Sequence, residues 1–293
     1  MQKILIVGCG NVARRTLPRL LGHYRVYALL RDPAQCAYWR DHGARPVLAD
    51  LDHAASLQRI AGLPDIVLHF APPAEHDAGD TRTRKLLAAL AQAKSLAQQL
   101  IYISTSGVYG DCGGAWIDET RARRPATERA LRRVDAEDQL RRFGRRNGVR
   151  VSILRAPGIY AEDRLPLERL RRGTPALRTE DDVYTNHIHA DDLSRLVCAA
   201  LRHGRANRCY NASDDTPMRM GDYFDLVADR FGLPRAPRIS RDRAVREISP
   251  LQLSFMSESR RLDNRRIKTE LRARLHYPRV ADGIDAARQG LNG

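Results

Sequence analysis

The sequence has few of the features that assign a protein to a class at once. None of its five cysteines belongs to a CxxC pair, so we expect reduced thiols, with neither a disulfide framework nor a bound metal. No apolar run approaches the roughly 20 residues that cross a bilayer. The first strand-like run, from Lys3 to Val7, leaves no room for a signal peptide. We therefore expect a cytoplasmic protein with no membrane partner.

Lysine is also scarce, although the net charge is +15 at pH 7. Only four of the 50 basic residues are lysines, and so uniform an excess of arginine is typical of a codon preference. The densest basic stretch, from Arg121 to Arg150, also carries acidic residues at helical spacing, as a solvated helix face does. Because no zinc-finger or RNA-binding signature is present, an arginine-rich nucleic-acid binder is the least favoured interpretation.

Strand-like and helix-like segments alternate over the first 154 residues. The predicted strands are Ile4–Val7, Arg25–Leu30, Pro46–Ala49, Asp65–Phe70, Leu100–Ser104 and Val149–Leu154. The predicted helices are Asn11–Leu21, Pro33–His42, Ala54–Ile60, Thr81–Gln98 and Ala126–Phe143. Apolar strands in this order predict an α/β fold with a doubly wound parallel sheet covered by helices on both faces.

The turn between the first strand and the first helix reads Gly8-Cys9-Gly10-Asn11-Val12-Ala13. In such a GxGxxA pattern the first glycine permits a tight turn and the second lets the backbone approach a pyrophosphate, while the small alanine lets the helix pack on the sheet. The helix N-terminus offers free N–H groups to the phosphates. The pattern predicts a dinucleotide site in a Rossmann-type domain, with an ordinary strand–helix turn as the alternative.

The end of the second strand bears on the choice of cofactor. A site for NAD usually places a carboxylate there, to bond the 2′-hydroxyl of the ribose. Here Leu30 occupies that position and Arg31 follows it, and a guanidinium suits the 2′-phosphate of NADP. We therefore expect NADP. NAD remains the alternative if Asp32 faces the ribose and Arg31 is merely solvated.

The chain after Leu154 is less regular. Helices are predicted over Asp191–Arg202 and Met220–Phe231 and a strand over Arg208–Asn211, whereas residues 234–293 give no clear pattern. A length of 293 residues fits one nucleotide-binding domain and a smaller lobe. We expect an NAD(P)-binding Rossmann domain over 1–155, with 186–212 returning to it, and a smaller C-terminal substrate lobe from 156–185 and 213–293.

Further segments make the chain similar to the extended short-chain dehydrogenase/reductases of the nucleotide-sugar epimerase and dehydratase kind. After the glycine turn they are, in matching order, Leu48–Leu51, His69–Pro73, Ile103–Gly110, Leu154–Tyr160 and His187–Leu193. The resemblance covers residues 1 to about 215. It implies that cofactor contacts come from Asp50 and Leu51 at the adenine ring, Ala71 and Pro72 along the cofactor, and Pro157 and Gly158 near the nicotinamide.

Thr105 takes the place of the catalytic serine or threonine of these enzymes, and it would also lie beside the cofactor. A hydroxyl at the carboxyl end of a central strand is well placed to hydrogen-bond a substrate carbonyl. The alternative is that the Thr105 hydroxyl only caps backbone groups at the end of the strand.

The chain departs from the family pattern at the acid/base pair, a tyrosine followed four residues later by a lysine. In the family a glutamate follows four residues after the lysine. If Glu137 is that glutamate, Arg133 stands at the lysine position and Arg129 at the tyrosine position. No tyrosine lies between Tyr109 and Tyr160. The chain therefore resembles atypical members of the superfamily, which keep the Rossmann half and lose the standard active site.

A proton donor would have to come from elsewhere, because an arginine does not deprotonate at neutral pH. Arg133 could still bond the ribose. Tyr109 and Tyr160 are the candidate donors, since both follow sheet strands, although each could equally be a packed aromatic with a satisfied hydroxyl. His187 and His189 are expected to be structural, and Glu137 is expected on the helix surface or in a supporting role.

Three functions follow from these residues. The first is an NAD(P)-dependent oxidoreductase or epimerase-like enzyme with a nonstandard active site, acting on a carbonyl or hydroxyl of a small molecule, such as a sugar nucleotide. The second is a non-catalytic NADP-binding regulatory or sensor protein. The third is the nucleic-acid binder. Some extended relatives dimerise through helices such as Thr81–Gln98 and Ala126–Phe143. The second helix here carries four arginines that disfavour this packing, namely Arg132, Arg133, Arg141 and Arg142, so we expect a monomer or a homodimer.

Overall fold

The computed structural model describes residues 1–77 and 79–291. Its strands are β1 Lys3–Val7, β2 Arg25–Leu30, β3 Arg45–Leu48, β4 Ile66–His69, β5 Gln99–Thr105, β6 Trp116–Ile117, β7 Arg150–Ala156, β8 Gly158–Tyr160, β9 Ala176–Leu177, β10 Tyr184–Thr185, β11 His187–His189, β12 Arg208–Asn211, β13 Met218–Arg219, β14 Arg238–Ile239 and β15 Arg261–Leu262. Residues 292–293, the end of the expected substrate lobe, lie outside the described residues.

The α-helices are α1 Asn11–Leu20, α2 Cys36–Asp41, α3 Thr81–Ala91, α4 Glu128–Asn147, α5 Leu167–Arg171, α6 Ala190–His203, α7 Met220–Phe231, α8 Arg241–Glu247, α9 Pro250–Phe255, α10 Arg265–Thr269 and α11 Val280–Leu291. Short 3₁₀ helices cover Pro33–Gln35, Ala54–Ile60, Ser106–Tyr109 and Glu162–Arg164. Within the described ranges, no helix combines the length and the apolar character that a membrane span requires.

Seven strands form one parallel sheet in the order β3–β2–β1–β4–β5–β7–β12. Val7 of β1 lies opposite Leu29 of β2 on one side and His69 of β4 on the other. The direction of winding reverses between β1 and β4, which leaves a crevice at the carboxyl ends of these strands. The predicted doubly wound α/β sheet is thus confirmed.

Helices cover both faces of the sheet because its central strands are apolar on both sides. Helices α1 and α6 pack together on one face, with Leu17 and Val197 in the core. Helices α3 and α4 lie on the opposite face, where Leu87 and Leu140 are buried. The two layers fix the carboxyl edge of the sheet, where the candidate site lies.

The chain after β7 builds a separate apolar cluster, to which Tyr160, Leu177, Val227, Ile239 and Ile284 contribute. These residues come from β8, β9, α7, β14 and α11. Two-stranded pairs connect the segments, and one of them joins β14 to β9. The segment from 186 to 212 returns towards the sheet, because α6 packs on α1 and β12 pairs with β7.

Two predicted helices have the wrong bounds. Helix α3 ends at Ala91, not at Gln98, because the chain has to turn before Gln98, whose backbone N–H donates to the Asp65 carbonyl and starts β5 in register. Helix α4 runs from Glu128 to Asn147 instead of from Ala126 to Phe143, since Thr127 caps its first turn and the left-handed Gly148 ends it.

Candidate cofactor and substrate site

The two glycines of the first turn differ in their surroundings. Gly8 has φ of +97°, and a Cβ on it would lie 2.3 Å from the backbone nitrogen of Ala71. That nitrogen donates to the Val7 carbonyl, 3.0 Å away, so the ends of β1 and β4 approach too closely for a side chain. Gly10 caps α1, and nothing lies within 4 Å of the position of its Cβ. The open space is therefore at Gly10, in front of the helix N-terminus.

The side chain of Asn11 joins the glycine turn to the segment after β8. Its Nδ2 donates to Asp163 Oδ2 at 2.9 Å, and its Oδ1 accepts from Arg15 Nε at 3.0 Å. Arg15 also donates to Asp191 Oδ1 at 2.9 Å and to Glu162. Sequence reasoning missed this network, because its three carboxylates lie about 150 or more positions after Asn11 and Arg15 and no local pattern pairs them.

The end of β2 presents a guanidinium. Leu30 is buried and lies opposite Leu48 of β3, and the exposed Arg31 follows. Within residues 1–77 and 79–291 the Arg31 side chain has neither an ion pair nor a hydrogen bond. Asp32 is engaged locally, since its Oδ1 accepts from the Ala34 backbone N–H at 3.0 Å. Arg31 is thus unengaged, and Asp32 keeps Oδ2 without a hydrogen bond among the described residues.

Acidic residues after β3 form the adjacent wall of the crevice. Asp50 Oδ1 accepts from the backbone N–H of Asp52 at 2.9 Å, and Leu51 is buried between them. Arg82 of α3 makes a bidentate pair with Asp52 at 2.8 and 2.6 Å and donates to the Pro72 carbonyl at 3.3 Å. Hydrogen bonds from Arg82 lower the pKa of Asp52. The Arg82–Asp52 pair, which sequence reasoning missed, connects the turn at Asp50 to the Pro72 carbonyl.

A cavity of about 400 Å³ opens at the carboxyl ends of β5 and β7. Thr105, Pro157 and Gly158 all line it. The Thr105 Oγ1 accepts from the backbone N–H of Gly107 at 3.2 Å, which leaves the hydroxyl hydrogen free to donate to a ligand. The structure thus brings the predicted strand-end hydroxyl and the segment after β7 together in one cavity.

The arginines at the tyrosine and lysine positions of the family pattern have different surroundings. Arg133 donates from one nitrogen to the Tyr102 hydroxyl at 2.8 Å and to the Ile103 carbonyl at 2.9 Å. Arg129 lines the cavity, and its guanidinium lies 4.4 Å from the centre of the Phe255 ring. Of these two arginines, Arg129 is the one that faces the cavity with its guanidinium nitrogens unbonded, within residues 1–77 and 79–291; Arg164 also lines the cavity without a side-chain hydrogen bond.

Neither candidate tyrosine offers a hydroxyl to the cavity. Tyr109 is 1% exposed and is not part of the lining; its hydroxyl donates to Asn211 Oδ1 at 2.7 Å. Tyr160 does line the cavity, but its hydroxyl faces α11, where a Cβ on Gly283 would lie 2.4 Å from it. Tyr109 therefore has the buried, satisfied hydroxyl of the packing alternative, and a catalytic role for it stays a prediction.

Glu137 is fully buried beneath the site and does not lie on the helix surface. Arg155 of β7 donates to it through Nε at 3.0 Å and Nη2 at 2.7 Å, and the Ser104 hydroxyl donates at 2.7 Å. Although burial raises the pKa of Glu137, the hydrogen bonds and charge of Arg155 outweigh it and keep this pKa below its usual value. The pair locks α4 onto β5 and β7.

The two histidines are buried. Desolvation lowers the pKa of His187 to about 3, and its ring stacks on Tyr223 with 4.2 Å between the ring centres. His189 has its pKa lowered by the same cause, and its Nδ1 accepts from the Asp191 backbone N–H at 3.2 Å, which caps α6. Within the described residues, no group of three or more histidine, cysteine, aspartate or glutamate side chains is placed to hold a metal.

The comparisons with known proteins agree with this geometry. Residues 4–213 match the model of the NAD dependent epimerase/dehydratase family. A functionally unknown conserved protein from Silicibacter pomeroyi is 28% identical over 100% of both chains, with a TM-score of 0.80. A search of the curated proteins gave no match.

Two characterised structures share the fold. A UDP-glucose 4-epimerase from Thermotoga maritima, solved with UDP-glucose, is 18% identical over 99% of this chain and 98% of its own, with a TM-score of 0.80. A double mutant of the dTDP-glucose 4,6-dehydratase from Streptomyces venezuelae, solved with NAD, is 21% identical over 100% of this chain and 97% of its own, with a TM-score of 0.79. At these identities the likeness establishes the architecture alone.

Proposed function

The chain belongs to the NAD-dependent epimerase/dehydratase family, and on that premise we propose that it is an NADP-dependent oxidoreductase or epimerase-like enzyme. Its substrate would present a carbonyl or hydroxyl group in the 400 Å³ cavity. The observation that carries the proposal is the meeting of Thr105, Pro157 and Gly158 in that cavity. A cavity of this size at the carboxyl edge of a doubly wound sheet is the usual place for a small-molecule site.

The crevice fits a dinucleotide. The open space at Gly10 and the N-terminus of α1 suit a pyrophosphate, with the backbone of Asn11, Val12 and Ala13 around it. Arg31 suits the 2′-phosphate, because a guanidinium binds phosphate through two parallel hydrogen bonds. Asp50 and Leu51, on one wall, and Ala71 and Pro72, on the other, would enclose the adenine end.

The residues of this chain would bind and orient the substrate. When bound, NADPH supplies the hydride. The Thr105 hydroxyl would donate a hydrogen bond to the substrate oxygen, and Pro157 and Gly158 would exclude water from one side of the nicotinamide. Tyr109 has no part in this arrangement. Segments 156–185 and 213–291 would form the substrate lobe over the Rossmann domain, 1–155 with 186–212.

A non-catalytic NADP-binding protein is the second candidate. One observation favours it, since Arg133 is bonded to Tyr102 and Ile103 and Arg129 has no proton to give at neutral pH. The two candidates differ in turnover and not in cofactor binding.

Turnover by the protein loaded with NADPH, on a panel of aldehydes and ketones, separates them. We expect oxidation of NADPH, and we expect Thr105→Val to lower kcat/KM by about 100-fold or more, because the oxygen loses its hydrogen-bond donor in the transition state. Tyr109→Phe is the control and should keep the wild-type rate. Full activity of Thr105→Val would contradict the role of Thr105, and absence of turnover across the panel would favour the non-catalytic candidate.

A further inference from the structure

The charged groups of the cavity do not balance. Four arginines line it, namely Arg129, Arg164, Arg169 and Arg260, against one carboxylate, Glu258. His187 also lines it but is uncharged near neutral pH, since its pKa is about 3. The cavity therefore has an excess of positive charge over a lining that is otherwise largely apolar and aromatic.

Two of these arginines are engaged by the protein. Arg260 pairs with Glu258 at 2.8 Å and donates to the Gly110 carbonyl at 2.6 Å. Arg169 donates to the Pro175 carbonyl, and its guanidinium lies 4.6 Å from the ring centre of Phe224. The carboxylate of Glu258 is thus paired through Oε2 with Arg260, while its Oε1 is buried without a hydrogen-bond partner among the described residues.

Arg129 differs from both. Within residues 1–77 and 79–291 its guanidinium has neither a hydrogen bond nor an ion pair; it lies 4.4 Å from the centre of the Phe255 ring, and Glu258 attracts it only from a longer distance. Partial burial lowers the pKa of Arg129, and the nearby Arg133 and Arg132 lower it further, although the attraction of Glu258 opposes them. An anion would relieve both effects, because it supplies acceptors to the guanidinium and offsets the repulsion.

The surroundings of Arg129 define the kind of anion. Thr105 and Thr127 supply hydroxyl groups in the same cavity, and Phe224, Phe255 and Met256 supply apolar surface. A guanidinium has a planar fork of N–H donors that matches the two oxygens of a carboxylate or phosphate. An inorganic ion would satisfy the charge but would leave the apolar surface uncovered.

We propose that the cavity selects an organic anion, whose carboxylate or phosphate group is bound by Arg129 and whose apolar or aromatic body packs against Phe224, Phe255 and Met256. This inference rests on the proposed function in that the anion is the substrate of the same site. Arg129 then determines specificity: it orients the substrate so that a carbonyl or hydroxyl faces Thr105. Arg129 stands where the family has its acid/base tyrosine, but it binds the anionic group of the substrate and takes no part in proton transfer.

The test compares matched charged and neutral probes. Phenylpyruvate and phenyl phosphate are the anions, and phenylacetone and phenol are their neutral counterparts. Calorimetric titration with and without NADPH measures their Kd on the wild type and on Arg129→Gln. Arg142→Gln is the control, since Arg142 is an exposed arginine on the same helix that does not line the cavity. It removes the same charge from the protein without altering the site.

We expect at least one anion to bind the wild type more tightly than its neutral counterpart, by about 10- to 100-fold, the range of a hydrogen bond to a charged group. Arg129→Gln should abolish that difference, Arg129→Lys should restore part of it, and Arg142→Gln should leave it unchanged. A preference that survives Arg129→Gln, or no preference for either anion, overturns the inference. NADPH affinity, measured in the same samples, shows separately whether the proposed function fails.

Discussion

The two glycines of the first turn should respond in opposite ways to the same added methyl group. In Gly8→Ala the new Cβ would lie 2.3 Å from the Ala71 nitrogen and 2.7 Å from its Cα, in a backbone with φ of +97°. The neighbours are main-chain atoms of two paired strands and cannot rotate away. In Gly10→Ala the Cβ meets nothing within 4 Å.

The magnitudes follow from these surroundings. A positive φ costs a non-glycine residue about 1–3 kcal/mol, and overpacking adds about as much, so Gly8→Ala should lower the free energy of unfolding by about 2–5 kcal/mol. At the N-cap position, replacing glycine by alanine loses a favourable cap but also restricts the unfolded chain. Gly10→Ala should therefore change the free energy of unfolding by less than about 1 kcal/mol.

Urea denaturation measures the stability of both variants, and NADPH titration by fluorescence measures their affinity. Gly10→Ala should keep wild-type stability and lose about tenfold or more in NADPH affinity, because its methyl group takes the space of the pyrophosphate. The reasoning is refuted if Gly8→Ala is as stable as the wild type, or if Gly10→Ala binds NADPH unchanged.

Three other predictions concern buried groups. Glu137→Gln leaves its arginine partner unpaired and should cost about 3–5 kcal/mol in urea denaturation. The pKa of Glu137 is lowered in the fold. Its contribution to the free energy of unfolding should therefore be present above the unfolded-state pKa of about 4.3 and be lost as the pH falls through the folded-state pKa. If the difference in stability between wild type and variant does not change with pH over this window, the prediction is contradicted. Tyr109→Phe leaves the Asn211 oxygen without its donor and should cost about 1–3 kcal/mol without affecting turnover; a loss of turnover in the folded variant would return Tyr109 to the site. Gly283→Ala puts a methyl group 2.4 Å from the buried Tyr160 hydroxyl and should cost about 1–3 kcal/mol, and an unchanged midpoint of thermal unfolding would mean that α11 shifts freely.

The first half of the fold could be predicted because its signals are local. Strand β2 has its predicted bounds, and so does helix α7 in the second half, since apolar period and breakers lie within each segment. The tail from residue 234 could not be predicted. Its elements are short, and distant partners fix them: β15 pairs with β6, more than 140 positions away. Contact with another segment determines such elements, and their own sequence carries little of that information.

In the candidate site, too, some residues could be predicted from the sequence and others could not. The Gly8 turn and Thr105 stand next to strand ends, so their positions follow from the strands themselves. The Glu137–Arg155 pair crosses from a helix to the sheet, and a pattern along one element does not reveal a partner in another layer. Tyr109 follows a strand as Thr105 does, but the short helix Ser106–Tyr109 turns it inwards to Asn211. Only the structure separates the two.

Titration of the purified protein with NADPH and NADH tests the central claim most directly. We expect NADPH to bind more tightly than NADH by about tenfold, as one charged contact provides, and Arg31→Ala to remove this difference while NADH affinity stays unchanged. Equal binding of the two nucleotides would contradict the choice of NADP. Binding of neither would contradict the account as a whole, because the Gly8 turn would then be a structural turn without a ligand.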